Sequence, residues 1–265
     1  MTADRLTGLI RELDGTGAGV LVMSPHLDDA VLSCGALLAR LADRHRITVA
    51  TVFTAAAPRP WSLPARRQLR ALGEADAEDF FAQRRAEDRD VLAGMGAAPV
   101  HLGFRDALFR RGPRWPAYPT FRFDAARGRV AACDAGLAAE VSARVGEIAT
   151  AHEAGVIFAP LGVGRHVDHL ITRRAARELA GRTQIVYYSD FPYSQTAAPE
   201  PGFVRDAGLV PHPWLAGRAE NASRIAGYRT QFAGLFRDGT VPTRPEIYWI
   251  AASAPGHHGS SRAAA

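Results

Sequence analysis

The sequence predicts the α/β fold class, and three observations predict it. Short apolar segments rich in β-branched residues alternate along the chain with longer segments of helical periodicity. No Ser/Gly-rich linker or internal repeat divides the 265 residues. Strands separated by helices are joined by right-handed crossovers. We therefore expect a three-layer α/β/α sandwich in a single domain, with a Rossmann-like, mostly parallel sheet.

The first half of the chain predicts a βαβαβ unit after an opening amphipathic helix at Thr2–Leu13. Strands are expected where β-branched residues cluster, and helices where apolar residues recur every three or four positions. The predicted strands are Val20–Met23, Arg46–Phe53 and Pro99–Leu102, and the predicted helices are Ala30–Asp43 and Ala75–Gly96.

The second half repeats the alternation. It predicts helices at Val130–Ala151, Val167–Ala180 and Ala219–Phe236, and strands at Val156–Ala159, Gln184–Ser189 and Ile247–Ala251. Between the halves, the segment from Phe104 to Gly128 is rich in proline and aromatic residues, and long irregular loops are usually functional. We expect one domain at residues 1–254 and a flexible C-terminal tail at residues 255–265.

Composition excludes several classes of protein. The net charge is +5, but all 32 basic residues are arginines interleaved with acidic residues, which is typical of solvated helix faces and predicts no nucleic-acid partner. Cys34 and Cys133 cannot build a disulfide framework. No signal sequence or membrane span is visible, so we expect a cytoplasmic protein without a membrane partner. The sequence carries no signal for an oligomeric state.

Two polar motifs follow predicted strands. Ser24-Pro-His-Leu-Asp-Asp-Ala30 comes after the first strand, and His166-Val-Asp-His169 comes after the strand that ends near Pro160. In a doubly wound sheet the first and fourth strands flank the crevice where ligands bind, outside the carboxyl ends of the strands. The two motifs are therefore expected to meet there.

The residue types in these motifs suit one metal ion. His26, Asp29 and His169 supply three ligands and leave a position for water, as in catalytic zinc sites. The same two imidazoles and carboxylate would also accept Fe²⁺.

The remaining polar residues suit hydrolysis of a carbonyl compound. Asp28 is the expected general base, since its side chain points away from that of Asp29 and can reach the water. His166, as an imidazolium, would stabilise the oxyanion or protonate a leaving amine, and Asp168 would orient a neighbouring imidazole. The alternative is that these aspartates only cap the helices that follow. The joint occurrence of both motifs after buried strands favours the metal site.

These motifs resemble those of the PIG-L (LmbE-like) family of zinc-dependent N-deacetylases. The family's Pro-His-Pro/Leu-Asp-Asp-Glu motif is similar to Pro25–Ala30, with Ala30 in place of the acidic residue, and its His-x-Asp-His motif is similar to residues 166–169. The resemblance implies zinc on the three ligands named above. It also implies Asp28 as base, His166 as the electrostatic and acid group, and Asp168 as the residue that orients His166.

Weaker similarity extends to Arg84 and Asp106, which the resemblance implies hold sugar hydroxyls. The alternatives are a solvated ion pair of Arg84 with Glu87 and a plain turn role for Asp106. Tyr188 and Tyr228 are expected to be packing residues with a hydrogen-bonding tip.

The resemblance implies a metal-dependent amidohydrolase that removes an N-acetyl group from an amino-sugar-containing small molecule, such as a glycoside or a secondary-metabolite intermediate. The segment from Phe104 to Phe123 is expected to read the aglycone. Two alternatives remain: an amidase acting on a thiol conjugate or another metal-assisted carbonyl reaction, and a non-catalytic metal- or nucleotide-binding domain. The two carboxylates of the first turn, where phosphate binding needs glycines, argue against nucleotide binding.

Overall fold

A seven-stranded sheet forms the centre of the protein in this computed structural model, which describes residues 5–113, 116–119 and 125–252. The strand order is β3-β2-β1-β4-β5-β7-β6. The strands are β1 (Gly19–Ser24), β2 (Ile47–Ala55), β3 (Ala97–Arg105), β4 (Ala154–Pro160), β5 (Gln184–Tyr188), β6 (Leu209–Trp214) and β7 (Glu246–Ala251). β1 to β5 are parallel, and β7 is antiparallel to both β5 and β6. The predicted fold class, a mostly parallel α/β sheet, is confirmed.

Helices cover both faces of the sheet. In the described ranges they are α1 (Arg5–Thr16), α2 (Asp29–Ala42), α3 (Leu63–Ala71), α4 (Ala77–Gly94), α5 (Leu137–Ala151), α6 (Val167–Leu179), α7 (Pro201–Asp206), α8 (Arg218–Ile225) and α9 (Arg229–Leu235). Alternate residues of β1 serve the two faces: Val20 and Val22 pack under α1 and α2, whereas Leu21 and Met23 pack under α5 and α6. This alternation follows from the two-residue period of a strand, and it explains why β1 is apolar throughout.

The sheet reverses its winding direction between β1 and β4. From β1 the chain moves outward to β2 and β3, and from β4 it moves the other way to β5. β1 and β4 are hydrogen-bonded neighbours, so the turns after them open into one crevice. The expectation that the two polar motifs flank this point is met.

Two predicted helices are wrong in extent. The helix expected at Val130–Ala151 begins only at Leu137, because the chain before it forms a 3₁₀ turn at Ala132–Asp134. The helix expected at Ala219–Phe236 is two helices, α8 and α9, with Gly227 between them. A Cβ at Gly227 would lie 2.5 Å from Cγ2 of Val91, so close packing on α4 explains the break.

Three elements were not predicted: α3, α7 and β6. Proline stands near the start of both helices, where its missing N–H costs nothing. Pro211 and Pro213 obscure β6 in the sequence, yet they fit an edge strand, whose outer side needs no hydrogen bonds. The predicted boundary between residues 1–254 and the tail at residues 255–265 lies outside the described residues. Among the described helices, none combines the length and apolar character of a membrane span.

Candidate metal centre and active site

The turn between β1 and α2 carries the first motif. Oγ of Ser24 donates to the His26 carbonyl oxygen (2.7 Å) and accepts from the Ala30 N–H (3.0 Å), which closes the turn. The His26 N–H donates to Oδ2 of Asp29 (2.9 Å). Asp28 occupies the N-cap position of α2 but makes no capping hydrogen bond with its side chain. Helix capping therefore does not account for the Asp28 carboxylate.

The turn between β4 and α6 carries the second motif. His166 is the N-cap residue of α6, and its Nδ1 accepts from the Asp168 N–H (3.3 Å). Capping therefore belongs to His166, and not to Asp168 as the alternative interpretation had it. Gly164 has φ +81°, and a Cβ there would lie 2.6 Å from the ring of Tyr193, which packs edge-on against His169. Glycine at this position lets Tyr193 support the His169 ring.

The structure brings the three predicted ligands together. Oδ2 of Asp29 lies 3.1 Å from Nδ1 of His26 and 3.3 Å from Nε2 of His169. Nε2 of His169 is buried and has no hydrogen-bond partner in the described part of the chain. A buried ring nitrogen without a partner, facing a carboxylate and a second imidazole, fits a metal ligand.

A second trio, His26, His166 and Asp168, also places its ligand atoms within 4.8 Å of one another. The Asp168 carboxylate is already committed, because it pairs with Arg110 (2.6 Å), accepts from the Ala107 N–H (3.1 Å) and bonds to Nε2 of His26 (3.0 Å). The first trio is therefore the better metal centre.

Each imidazole of the first trio forms a hydrogen bond with a buried carboxylate, through the ring nitrogen that does not face the proposed metal position. Nε2 of His26 bonds to Oδ2 of Asp168 (3.0 Å), and Nδ1 of His169 bonds to Oδ1 of Asp190 (2.6 Å). Such bonds fix the ring orientation and decide which nitrogen keeps its lone pair for the metal. The contacts of the Asp168 side chain differ from the role that the resemblance implied, since they orient His26, whereas the contact with His166 is made by the Asp168 backbone.

Sequence reasoning missed Asp190 as a site residue. It follows β5 directly, at the same carboxyl edge of the sheet as the two motifs, and this position was the available signal. Its other oxygen, Oδ2, accepts from the Val163 N–H (2.8 Å), so Asp190 also fixes the loop after β4.

The buried carboxylates of the site favour positive charge beside them, either on protonated imidazoles or on a bound cation. Burial opposes protonation of His26, but hydrogen bonds to Asp168 and Asp29 outweigh it and raise its pKa well above the usual value. Burial likewise disfavours the charged form of Asp29, yet the charge of His169 and the hydrogen bond from His26 lower its pKa to about 2. The carboxylates thus favour protonated imidazoles at His26 and His169, and a divalent cation can replace those protons.

Asp28 is the candidate base, and its environment suits that work. Burial raises its pKa to about 7, although the nearby Arg84 charge opposes the shift. A carboxylate with a pKa near 7 is ionised in a useful fraction of molecules at neutral pH, and it is basic enough to accept a proton from water.

Arg84 lies beside this base. Its Nη2 is 3.6 Å from Oδ1 of Asp28 and donates to the Leu27 carbonyl oxygen (3.3 Å). Arg84 is buried, and Glu87 instead accepts from Thr230, so the interpretation as a solvated ion pair with Glu87 is wrong.

Asp106 makes the turn contact that the alternative interpretation predicts, and it also lies beside a candidate ligand. Oδ1 accepts from the Leu108 N–H (2.8 Å), as a turn residue would, while Oδ2 lies 3.6 Å from Nε2 of His26. Burial and the Asp168 charge raise the pKa of Asp106.

His166 differs from the expectation of an imidazolium. Burial lowers its pKa to about 3, and Nδ1 accepts a backbone N–H, which places the proton of the neutral ring on Nε2. In the chain alone His166 is therefore a neutral hydrogen-bond donor.

Tyr188 and Tyr228 are packing residues, as expected. Both are buried, and their hydroxyls donate to the Met23 carbonyl oxygen and to Oδ1 of Asp88, each at 2.8 Å.

The sheet and the side chains gathered at its switch point give an α/β domain with a candidate site for one divalent metal. The chain belongs to the PIG-L family: the family described as "GlcNAc-PI de-N-acetylase" matches residues 21–180. The resemblance found in the two motifs is thereby confirmed.

Individual relatives are also named as deacetylases. A 2'-N-acetylparomamine deacetylase of Streptomyces fradiae is 34% identical over 197 residues, a match that covers 72% of this chain and 64% of that protein. The chain thus spans just under two thirds of that relative's length.

Solved structures agree in fold. A deacetylase–bog complex from the biosynthesis pathway of teicoplanin superposes with a TM-score of 0.74 at 26% identity, covering 87% of this chain and 96% of that one. A zinc-inhibited form of a teicoplanin deacetylase superposes with a TM-score of 0.71 at 26% identity, covering the same shares of the two chains.

Proposed function

We propose that the chain is a metal-dependent N-deacetylase that removes the acetyl group from an N-acetylated amino sugar within a secondary-metabolite intermediate or glycoside. The observation that carries this proposal is the meeting of His26, Asp29 and His169 beside the Asp28 carboxylate. Membership of the family supports the reaction. The names of the paromamine and teicoplanin deacetylases support the substrate class.

Zn²⁺ is the metal we propose for this site, and Fe²⁺ is the alternative that the same donors accept. Bound by His26, Asp29 and His169, the metal supplies Lewis acidity that polarises the amide carbonyl and activates a water molecule.

The protein's own groups then move the proton and hold the charge. Asp28 takes a proton from the water as the oxygen attacks the acetyl carbonyl carbon, and Arg84 beside it favours the ionised carboxylate before that step. His166 donates its Nε2 proton in a hydrogen bond to the developing oxyanion. Asp28 returns the proton to the sugar nitrogen as the C–N bond breaks, so the products are acetate and a free amine.

We place the rest of the substrate at the rim of the site. Arg84 and Asp106 are the candidates for holding sugar hydroxyls, because both lie next to ligand or base residues. A cleft of about 360 Å³ is lined by Pro60, Trp61, Ser62, Arg111, Gly112, Pro113 and Pro116. It would take the aglycone against the face of Trp61. Trp115, Phe121 and Phe123, which were predicted to serve the same purpose, lie outside the described residues.

The test is metal content together with amine release from N-acetylglucosamine and several of its glycosides, before and after chelation. About one zinc or iron per chain is expected, with release lost on chelation and restored by stoichiometric metal; a zinc titration beyond one equivalent checks for inhibition. His26→Ala should lower metal content, and His166→Ala should spare it while lowering turnover. Metal without release from any N-acetylated sugar would contradict the proposed substrate class, and release that survives complete metal removal would contradict the mechanism.

A further inference from the structure

Arg110 is a buried arginine that no sequence motif singled out. It follows the 3₁₀ turn after β3 and is 7% exposed. Its Nη2 pairs with Oδ1 of Asp168 (2.6 Å), its Nε donates to Oδ2 of Asp134 (2.8 Å), and its Nη1 donates to the Arg105 carbonyl oxygen (2.9 Å). The guanidinium carbon lies 4.9 Å from the ring centroid of Phe53. Nε and Nη1 thus form hydrogen bonds, Nη2 forms a close ion pair, and one face of the guanidinium lies over an aromatic ring.

Asp168 connects Arg110 to the metal centre, because the carboxylate that pairs with Arg110 also bonds to His26. Asp168 is fully buried, and Arg110 and the Ala107 N–H hold its carboxylate from two sides. In this position its Oδ2 lies 3.0 Å from Nε2 of His26 and bonds to it. That hydrogen bond engages Nε2, so Nδ1, which faces Asp29 at 3.1 Å, is the nitrogen of His26 available to a metal ion.

The far side of Arg110 is anchored as well. The Tyr118 hydroxyl donates to Oδ2 of Asp134 (2.6 Å) and accepts from the Ala131 N–H (3.2 Å). Oδ2 of Asp134 therefore accepts from both Tyr118 and Arg110. The guanidinium cannot move away from Asp168 without breaking its hydrogen bonds to Asp134 and to the Arg105 carbonyl oxygen. Arg110 thus links Asp134 and Tyr118 to Asp168 at the metal centre.

We propose that Arg110 is a positioning residue for the metal centre, holding Asp168 so that His26 presents Nδ1 to the ion. This rests on the ligand role given to His26 in the proposed function. A purely structural role would make Arg110 a bridge between loops whose loss lowers stability and nothing else.

The experiment compares Arg110→Met with Arg218→Met. Arg218 is a matched control, because it is 6% exposed and pairs with buried Glu246 at 2.8 Å. The Zn²⁺ dissociation constant is measured by chelator competition without substrate, and Tm is measured on the same samples. Both variants should lower Tm, but only Arg110→Met should weaken Zn²⁺ binding, by about 10- to 100-fold.

Arg110→Lys guards against a variant that fails to fold. It keeps the charge near Asp168 but cannot bridge to Asp134, so it should restore part of the lost affinity. Absorption bands of the Co²⁺-loaded protein should change in both Arg110 variants and remain unchanged in Arg218→Met. The steady-state defect should fall on kcat more than on KM.

Wild-type affinity in Arg110→Met, or equal losses in both methionine variants, would overturn the proposal. The proposed function is judged separately. A wild-type chain that binds Zn²⁺ but releases no amine contradicts the substrate class and leaves the affinity comparison decisive, whereas a wild-type chain that binds no Zn²⁺ overturns both.

Discussion

Two buried charged clusters lie along α2, one at its first residue and one halfway along it. The second is built on Glu246 of β7, whose carboxylate accepts four hydrogen bonds: from the N–H groups of Ala36 and Leu37, from Arg218 and from the Tyr248 hydroxyl. Both oxygens are fully used. This cluster ties β7 and α8 to α2, and it has nothing left to offer a ligand.

The cluster at the start of α2 is incomplete by the same measure. Nε2 of His169 and Nε of Arg84 are buried without a hydrogen-bond partner in the described residues. Five carboxylates, those of Asp28, Asp29, Asp106, Asp168 and Asp190, share the site with the guanidinium groups of Arg84 and Arg110.

The difference shows how burial separates structural from functional charge. A buried polar atom without a partner costs about 1–3 kcal/mol, and a functional site is a place where a fold tolerates that cost. The Glu246 cluster should therefore govern stability, and the cluster at Asp29 should govern chemistry. The predictions that follow test this division.

Asp28→Asn should produce the largest effect. The amide cannot take the proton from water, so kcat should fall by about 10²–10⁴-fold, while metal content stays at the wild-type level because Asp28 is not a ligand. An amine-release assay measures kcat, and elemental analysis of the same preparation measures the metal content. Asp79→Asn, an exposed aspartate on α4, is the control and should change neither. Retained turnover in Asp28→Asn would remove Asp28 from the role of base.

Glu246→Ala should separate stability from activity. The substitution leaves the Arg218 charge buried without its carboxylate and removes four hydrogen bonds. The free energy of unfolding should therefore fall by about 3–5 kcal/mol. Urea unfolding measures this cost. The folded fraction should retain wild-type Zn²⁺ affinity and kcat. A loss of affinity equal to that of a ligand variant would show that the two clusters are coupled.

Arg84→Met should shift the pH dependence of the reaction. The Arg84 charge opposes the upward shift in the pKa of Asp28, so its removal should raise that pKa above about 7 in the metal-free chain. Because the base acts only when ionised, the acidic limb of the kcat profile should move to higher pH. Carboxyl NMR of the metal-free protein, with and without the substitution, checks the pKa directly. If the acidic limb does not move, Arg84 does not influence the Asp28 base, and only its proposed role in substrate binding remains.

The three proposed metal ligands could be selected from the sequence because two of them lie in one turn and the third at the start of one helix. His26 and Asp29 share one turn, His169 lies in the first turn of a helix, and strand order brings the two turns together. The residues behind them could not be found in this way. Asp190 and Arg110 reach the site from other elements through tertiary contacts, and no spacing along the chain records such contacts.

The errors in the fold have the same origin. Helical periodicity continues through Gly227, and only the approach of Val91 on α4 shows that the chain must bend there. Before α5, the residues with helical character are held in a 3₁₀ turn while the Asp134 carboxylate binds Arg110 and Tyr118. Local pattern sets where elements form, and packing against distant segments sets where they end.

The smallest predicted effect lies at the rim of the incomplete cluster, where recognition should be separable from chemistry. Trp61 is held by a hydrogen bond from its Nε1 to the Ala57 carbonyl oxygen (2.9 Å), and the Arg59 guanidinium carbon lies 4.0 Å from its ring centroid, so the ring is fixed before a substrate arrives. Trp61→Ala should raise KM by about tenfold, or about 1.4 kcal/mol, for glycosides that reach the cleft, with kcat unchanged. Free N-acetylglucosamine should be cleaved as by wild type, because it is too short to contact the ring, and Trp214→Ala at the far edge of the sheet should leave both substrates unaffected. An equal rise in KM for the free sugar would mean that Trp61 supports the active site itself and does not act only on the aglycone.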